Sequence, residues 1–194
     1  DKYVIDVPFL LRALLVRGII LRKRPEKSAA AYAKIWWDEG SPLVVISKRM
    51  HEKVKPQVQV PVSLAMRYGN PSLLSGLQEL HDKGVNEVLL FPLYPQHAMA
   101  STTTILELAE DLRKKHFPGM KFTIVPAFYN KPDYLKNLAD SIKTALDRFE
   151  YDHLLFSYHG IPERHIRKTD VTKSHCKIDG SCCNTPSPAH EFCY

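Results

Sequence analysis

Val88-Leu89-Leu90-Phe91-Pro92-Leu93 is the stretch that decides the fold. It is an unbroken apolar run, short for a helix and rich in residues that suit a pleated surface. It predicts a strand buried on both faces. Downstream, Ser101 to His116 carries Ile105, Leu106, Leu108 and Leu112 at helical spacing, and Lys121 to Val125 again reads as a strand. A strand, a helix of this length and a second strand form a crossover unit, and crossover units make parallel sheets.

The same alternation extends outward. Upstream, Val58 to Ala65 is strand-like, and Pro71 to Lys83 places Leu73, Leu74, Leu77 and Leu80 on one helical face before Gly84. Before that, two signals compete. Val44-Val45-Ile46 favours a strand, whereas Ser41-Pro42 is a helix start, with a capping hydroxyl and proline at the first helical position. The helix is the better reading, ending before Pro56. A basic helix is expected from about Pro8 to Arg24, followed by a polar stretch from Lys27 and an Ala-rich helical turn containing Trp36 and Trp37. Downstream, Pro132 to Phe149 is helical and His153 to Ser157 is a strand. The expected class is therefore α/β with a mainly parallel sheet.

In such sheets ligands sit beyond the carboxyl ends of the strands. That rule selects four loops: Met66 to Pro71, Tyr94 to His97, Phe128 to Asn130 and Tyr158 to Pro162, all rich in Tyr, His, Arg and Asn. The last loop is the most informative. A buried strand would deliver His159 at its end, where Gly160 and Pro162 turn the chain. An imidazole ordinarily titrates near neutrality, so it can accept a proton or bind a metal. A histidine that merely hydrogen-bonds its loop fits the same pattern.

The chain has 194 residues, 44% apolar and 25% charged, with a net charge of +6. These values describe a globular protein that needs no disulfides to fold. The basic excess suits an acidic partner. No glycine-rich phosphate loop is present, which disfavours nucleotide binding, and no aromatic stacking platform or basic face supports nucleic acid. Phe9 to Leu21 is interrupted by Arg12 and Arg17 and is too short to span a bilayer. A cytoplasmic protein is expected, with peripheral contact to the inner membrane through this basic amphipathic helix as a minor alternative.

All four cysteines fall in the last nineteen residues, as Cys-x5-Cys-Cys-x9-Cys: Cys176, Cys182, Cys183 and Cys193. The clustering points to a metal site or a local redox feature, although the spacing is not a standard zinc pattern. Beyond Thr169 the texture changes, and a strand at 153–157 has nothing following it to pack on. The chain is expected to be a fragment.

Several segments, in order, resemble one family. Gly40-Ser41-Pro42-Leu43, Met66-Arg67-Tyr68-Gly69-Asn70-Pro71, Leu93-Tyr94-Pro95-Gln96 with Ser101-Thr102-Thr103, and Phe156-Ser157-Tyr158-His159-Gly160-Ile161-Pro162 through Arg164 are similar to motifs of the ferrochelatases. The resemblance implies two Rossmann-like (chelatase-type) parallel-sheet domains with porphyrin between them. Residues 1–149 would be most of the first domain, lacking its start, and 150–194 the opening of the second with a Cys-rich insert. It implies insertion of ferrous iron into protoporphyrin IX or coproporphyrin III. His159 would act on the pyrrole protons or hold the incoming iron; both roles need the unprotonated ring. Tyr94 would lie against the macrocycle. Arg67, Ser41 and Arg24, with Arg22 and Lys23, would line the pocket or meet propionates. The family's early Asn-Leu/Met-Gly segment and its acidic partner for the histidine have no counterpart in this chain. Some bacterial members hold a [2Fe–2S] cluster in such a cysteine insert, whereas animal members take one ligand from just after the Tyr-Pro-Gln turn, near Met99 here. Free thiols or an adventitious zinc site remain alternatives. So do a cobalt or nickel chelatase acting on another tetrapyrrole, and a tetrapyrrole- or iron-binding protein without turnover.

Overall fold

A computed structural model describes residues 1–177 and 179–193, with the Lys23 side chain outside the described set. The expectation for Lys23 and the end of the cysteine insert at Tyr194 therefore lie outside the described residues.

The crossover unit forms as the central run predicts. Strand β1 (Glu87–Leu90) and strand β2 (Lys121–Ile124) are the two strands of the sheet. The Lys121 N–H donates to Asn86 O at 2.8 Å and the Val125 N–H to Leu90 O at 3.0 Å. Both pairings advance in the same direction with one offset, so the strands are parallel. Between them lie a π-helical segment, Met99–Thr103, and helix α5 (Thr104–His116). One detail differs from the sequence reading. Val88 is buried but Leu89 is 65% exposed, so β1 alternates and is covered on one face.

The chain divides into two compact units. The first comprises residues 1–89 and 104–123. Its helices are α1 (Phe9–Leu14), α2 (Leu21–Ala33), α3 (Pro42–Val54), α4 (Leu73–Asp82) and α5. Its core is Val45, Leu73, Leu77, Leu80, Val88, Ala109, Phe117 and Met120. Helix α4 shows how local chemistry sets the boundaries. The Ser72 hydroxyl accepts from Ser75 N–H at 3.1 Å, capping the start. At the other end Gly84 adopts φ 76°. Its N–H reaches His81 O and the Val85 N–H reaches Leu80 O, the paired closure that a left-handed residue permits.

Two expectations are corrected in this unit. The first helix does not stop at Arg24. A π-helical turn, Leu15–Ile20, joins α1 to α2, which continues past Pro25. Proline cannot donate to the carbonyl four residues back, that of Leu21, and the wider turn ends just before that residue. Val58 to Ala65 is not a paired strand. Its end is held instead by side chains: His51 Nε2 lies 3.1 Å from Val62 O, and Ser63 Oγ donates to Glu79 at 2.9 Å. Met66 alone makes a parallel bridge, to Ser72.

The second unit comprises residues 90–103 and 124–193 as described. It contains α6 (Pro132–Leu146), α7 (Glu163–Thr169) and a closing 3-10 turn, Pro188–Phe192. The expected strand at 153–157 is an exposed segment with no ladder partner among the described residues; Leu155 is 90% exposed. A strand requires a neighbour to take its backbone groups, and sequence pattern alone does not supply one.

Candidate functional site

In the first unit, Trp37 and Gly40 pair across Asp38-Glu39, with Trp37 N–H to Gly40 O at 3.1 Å and the reverse bond at 2.9 Å. Gly40 sits at φ 117°, a conformation that side chains disfavour, so this turn selects glycine. The turn delivers Ser41 to the start of α3, with Pro42 at its first position. The helix start is as expected, but the Ser41 hydroxyl makes no capping bond. It lines an open groove of about 490 Å³ with Trp36, Val44, Lys48 and Arg49. Arg49 pairs with Glu39 at 2.6 Å and lies over the Trp37 ring.

Arg67 is the most tightly held candidate. Its Nε donates to Thr104 Oγ1 at 2.8 Å and its Nη2 to the Asp1 carboxylate at 2.5 Å. The Tyr68 hydroxyl donates to the same carboxylate at 3.0 Å, the Thr104 hydroxyl also donates to it, and the guanidinium lies over the Tyr68 ring. Thr104 is 1% exposed. The sequence reading singled out Arg67 but neither Asp1 nor Thr104. Nothing in a lone Asp or a Thr-rich run marks a partner 103 residues away. Arg24 lies on α2, exposed and without an ion pair among the described residues.

In the second unit the two loops beyond the strand ends do come together. Pro95 O accepts from Phe128 N–H at 2.9 Å and from Tyr129 N–H at 3.0 Å. Phe91 and Phe128 meet edge to face with centroids 5.4 Å apart. Tyr94 sits in this assembly, partly exposed. His159 is exposed in the segment leading to α7 and makes no hydrogen bond or ion pair among the described residues. Neighbouring Tyr158 stacks on Phe156.

The cysteine lobe is organised by Asp170, which the sequence reading passed over. Its carboxylate accepts from Thr172 Oγ1 (2.7 Å), Thr172 N–H (2.8 Å), His175 N–H (2.9 Å) and Cys176 N–H (2.9 Å). The Thr172 hydroxyl and these amides hold its pKa far below the usual carboxylate range. The Asp-x-Thr spacing is a turn signal that could have found it. Cys182 is buried, and its sulfur accepts from Lys177 N–H at 3.2 Å. Burial, then the neighbouring Cys182 and Cys193, push the Cys176 thiol up; Cys182 first, then burial and Cys193, do the same to Cys183. The thiols thus share one neighbourhood. Among the described residues, however, no three His, Cys, Asp or Glu side chains form a set arranged to hold a metal ion.

Comparison with known proteins gives a consistent result. A family model described as Ferrochelatase matches residues 1–183. The ferrochelatase of Ectopseudomonas mendocina (strain ymp) is 51% identical over 190 residues, 97% of this chain and 55% of the relative. That of Pseudomonas syringae pv. tomato (strain ATCC BAA-871 / DC3000) is 48% identical over 195 residues, all of this chain and 57% of the relative. That of Stutzerimonas stutzeri (strain A1501) is 50% identical over 184 residues, 94% and 53%. The chain spans about half the length of these curated relatives.

Proposed function

The chain belongs to the ferrochelatase family, and from that premise we propose that the protein it is part of inserts ferrous iron into a porphyrin. The observation that carries this is the family match over nearly the whole chain at about half identity. Protoporphyrin IX and coproporphyrin III are the proposed substrates, with ferrous iron as co-substrate. Residues 1–149 are proposed as most of the first domain and 150–194 as the opening of a second.

Insertion exchanges two pyrrole protons for one ferrous ion. His159, exposed in the segment leading to α7, is proposed to take one of those protons or to receive the iron through its imidazole. Tyr94 would pack against the macrocycle face. Ser41, whose hydroxyl is not spent on capping α3, and Arg24 would meet propionates, and Arg67 is proposed as a further substrate-binding cation. The four thiols of Cys176, Cys182, Cys183 and Cys193 are proposed to hold a [2Fe–2S] cluster. The clustering of all four cysteines in the last nineteen residues supports it, although among the described residues their side chains are not arranged to hold a metal ion. Such a cluster, when bound, supplies an electron-accepting iron–sulfur group, and no insertion step needs it.

No described helix is long and apolar enough to cross a membrane. Cytoplasmic location is proposed, with peripheral membrane contact as the minor alternative that exposed Phe9, Leu10 and Leu14 beside Arg12 on α1 would serve.

The test is anaerobic ferrous insertion into each porphyrin by the full-length protein, wild type against His159→Ala. A loss of about 10²-fold or more is expected. Ordinary turnover by the variant would refute the role of His159. Preference for cobalt or nickel, or porphyrin binding without turnover, would replace the function itself.

A further inference from the structure

The loop that carries Tyr94 is gripped from two sides within the second unit. On one side Pro95 O takes the amides of Phe128 and Tyr129. On the other, the His97 ring lies against Phe192, centroids 4.3 Å apart and planes tilted by 41°, with His97 Nε2 3.1 Å from Thr103 Oγ1. Phe192 is the last residue of the closing 3-10 turn, whose start is fixed by Ser187 Oγ accepting from Ala189 N–H at 3.2 Å. In the same turn His190 packs edge to face on His175, and His175 Nε2 lies 3.2 Å from Cys182 O. A continuous set of contacts therefore joins the cysteine lobe to the loop after β1.

We infer that Phe192 and His97 are positioning residues for Tyr94, through which the cysteine lobe braces the loop that meets the porphyrin. The inference rests on the proposed role of Tyr94. Only Pro95 and Gln96 separate Tyr94 from His97, and proline fixes one of the intervening backbone angles. Tyr94 and His97 are therefore carried on one short stretch of backbone. Burial pushes the His97 pKa down, against an opposing effect of Glu191, and the ring packs on Phe192 as an aromatic. An aromatic pair of this kind shifts an equilibrium by roughly two- to twelvefold, enough to read in loop opening and in ligand affinity.

The experiment uses full-length protein carrying Phe192→Ala, Phe192→Leu, Phe192→Tyr, or Phe192→Ala with His97→Ala. Two readouts are taken: amide hydrogen exchange over residues 94–99, and protoporphyrin affinity by fluorescence quenching alongside KM and kcat. Expected are exchange faster by roughly two- to twelvefold in Phe192→Ala, a matching rise in porphyrin Kd, and a loss falling on KM more than on kcat. Phe192→Tyr restores both readouts, and the double variant is no worse than the single. Unchanged exchange overturns the brace, as does faster exchange with unaltered porphyrin affinity, or additive losses in the double variant. Should Phe192→Ala fail to fold, Phe192→Leu, which keeps apolar bulk without a ring, decides by the same readouts. A wild-type protein that binds no porphyrin removes the functional reading instead, and the exchange measurement still judges the brace.

Discussion

Arg67 Nε donates to the Thr104 hydroxyl at 2.8 Å, joining the loop before α4 to the first residue of α5 across 37 positions of sequence. The same hydroxyl serves the Asp1 carboxylate, so one buried oxygen holds three segments. Replacing it by a methyl leaves a partly buried guanidinium N–H without its acceptor. Thr104→Val is expected to cost about 1–3 kcal/mol in urea unfolding, and Thr104→Ser to recover most of it. Equal losses in the two variants would mean that shape, not the hydroxyl, matters there.

Gly76 on α4 faces the 63–65 segment so closely that an added Cβ would stand 3.1 Å from Ala65 Cβ and 3.2 Å from Ser63 Oγ, with Leu64 O behind at 3.6 Å. Close approach, rather than backbone freedom, fixes this glycine. Gly76→Ala is expected to destabilise by about 1–3 kcal/mol despite alanine's better helix propensity. Gly119→Ala, where a Cβ meets nothing within 4 Å, is the control and should change little. Matching melting temperatures for the two variants would refute the packing argument.

Glu110 accepts two bonds from Arg113 at 2.7 Å each, and with Lys114 nearby its carboxyl is drawn down to about 2 from an ordinary 4.5. A carboxylate whose folded pKa is depressed stabilises the fold above its unfolded pKa and loses that contribution as pH falls toward the folded value. The melting difference between wild type and Glu110→Gln should be small, full above pH 4.5 and gone near pH 2. A difference independent of pH over that window would exclude the ion pair as its source.

The contrast between β1 and the 58–65 segment explains how far the sequence could be read. Both are apolar and strand-prone, and each is followed by a helix and a strand (α5 and β2, or α4 and β1), but among the described residues only β1 pairs with the strand that follows it. Local pattern reports propensity; pairing is tertiary. The start of α3 was legible because Ser41-Pro42 acts within one turn, whereas the passage of α2 through Pro25 was not, since the compensating π-helical turn has no residue signature. His159, Tyr94, Arg67 and Ser41 could be named from motifs because motifs mark chemistry. Thr104 and Asp1, the supports of Arg67, could not, because a side chain's long-range partner is set by the fold.

Asp170 offers the sharpest separation of order from charge. Four donors converge on its carboxylate, three of them backbone or hydroxyl groups of residues 172 to 175 and the fourth the amide of Cys176. Asp170→Asn keeps one acceptor oxygen but turns an NH2 toward donors; Asp170→Ala removes both oxygens. In the reduced, iron-free full-length protein, alkylation of the buried Cys182 should quicken by about tenfold or more in Asp170→Ala, with Asp170→Asn between it and wild type. The exposed Cys183 should react at nearly the same rate in all three. If Cys182 reacts equally fast in every form, the lobe closes without its carboxylate and Asp170 is not what holds the thiols together.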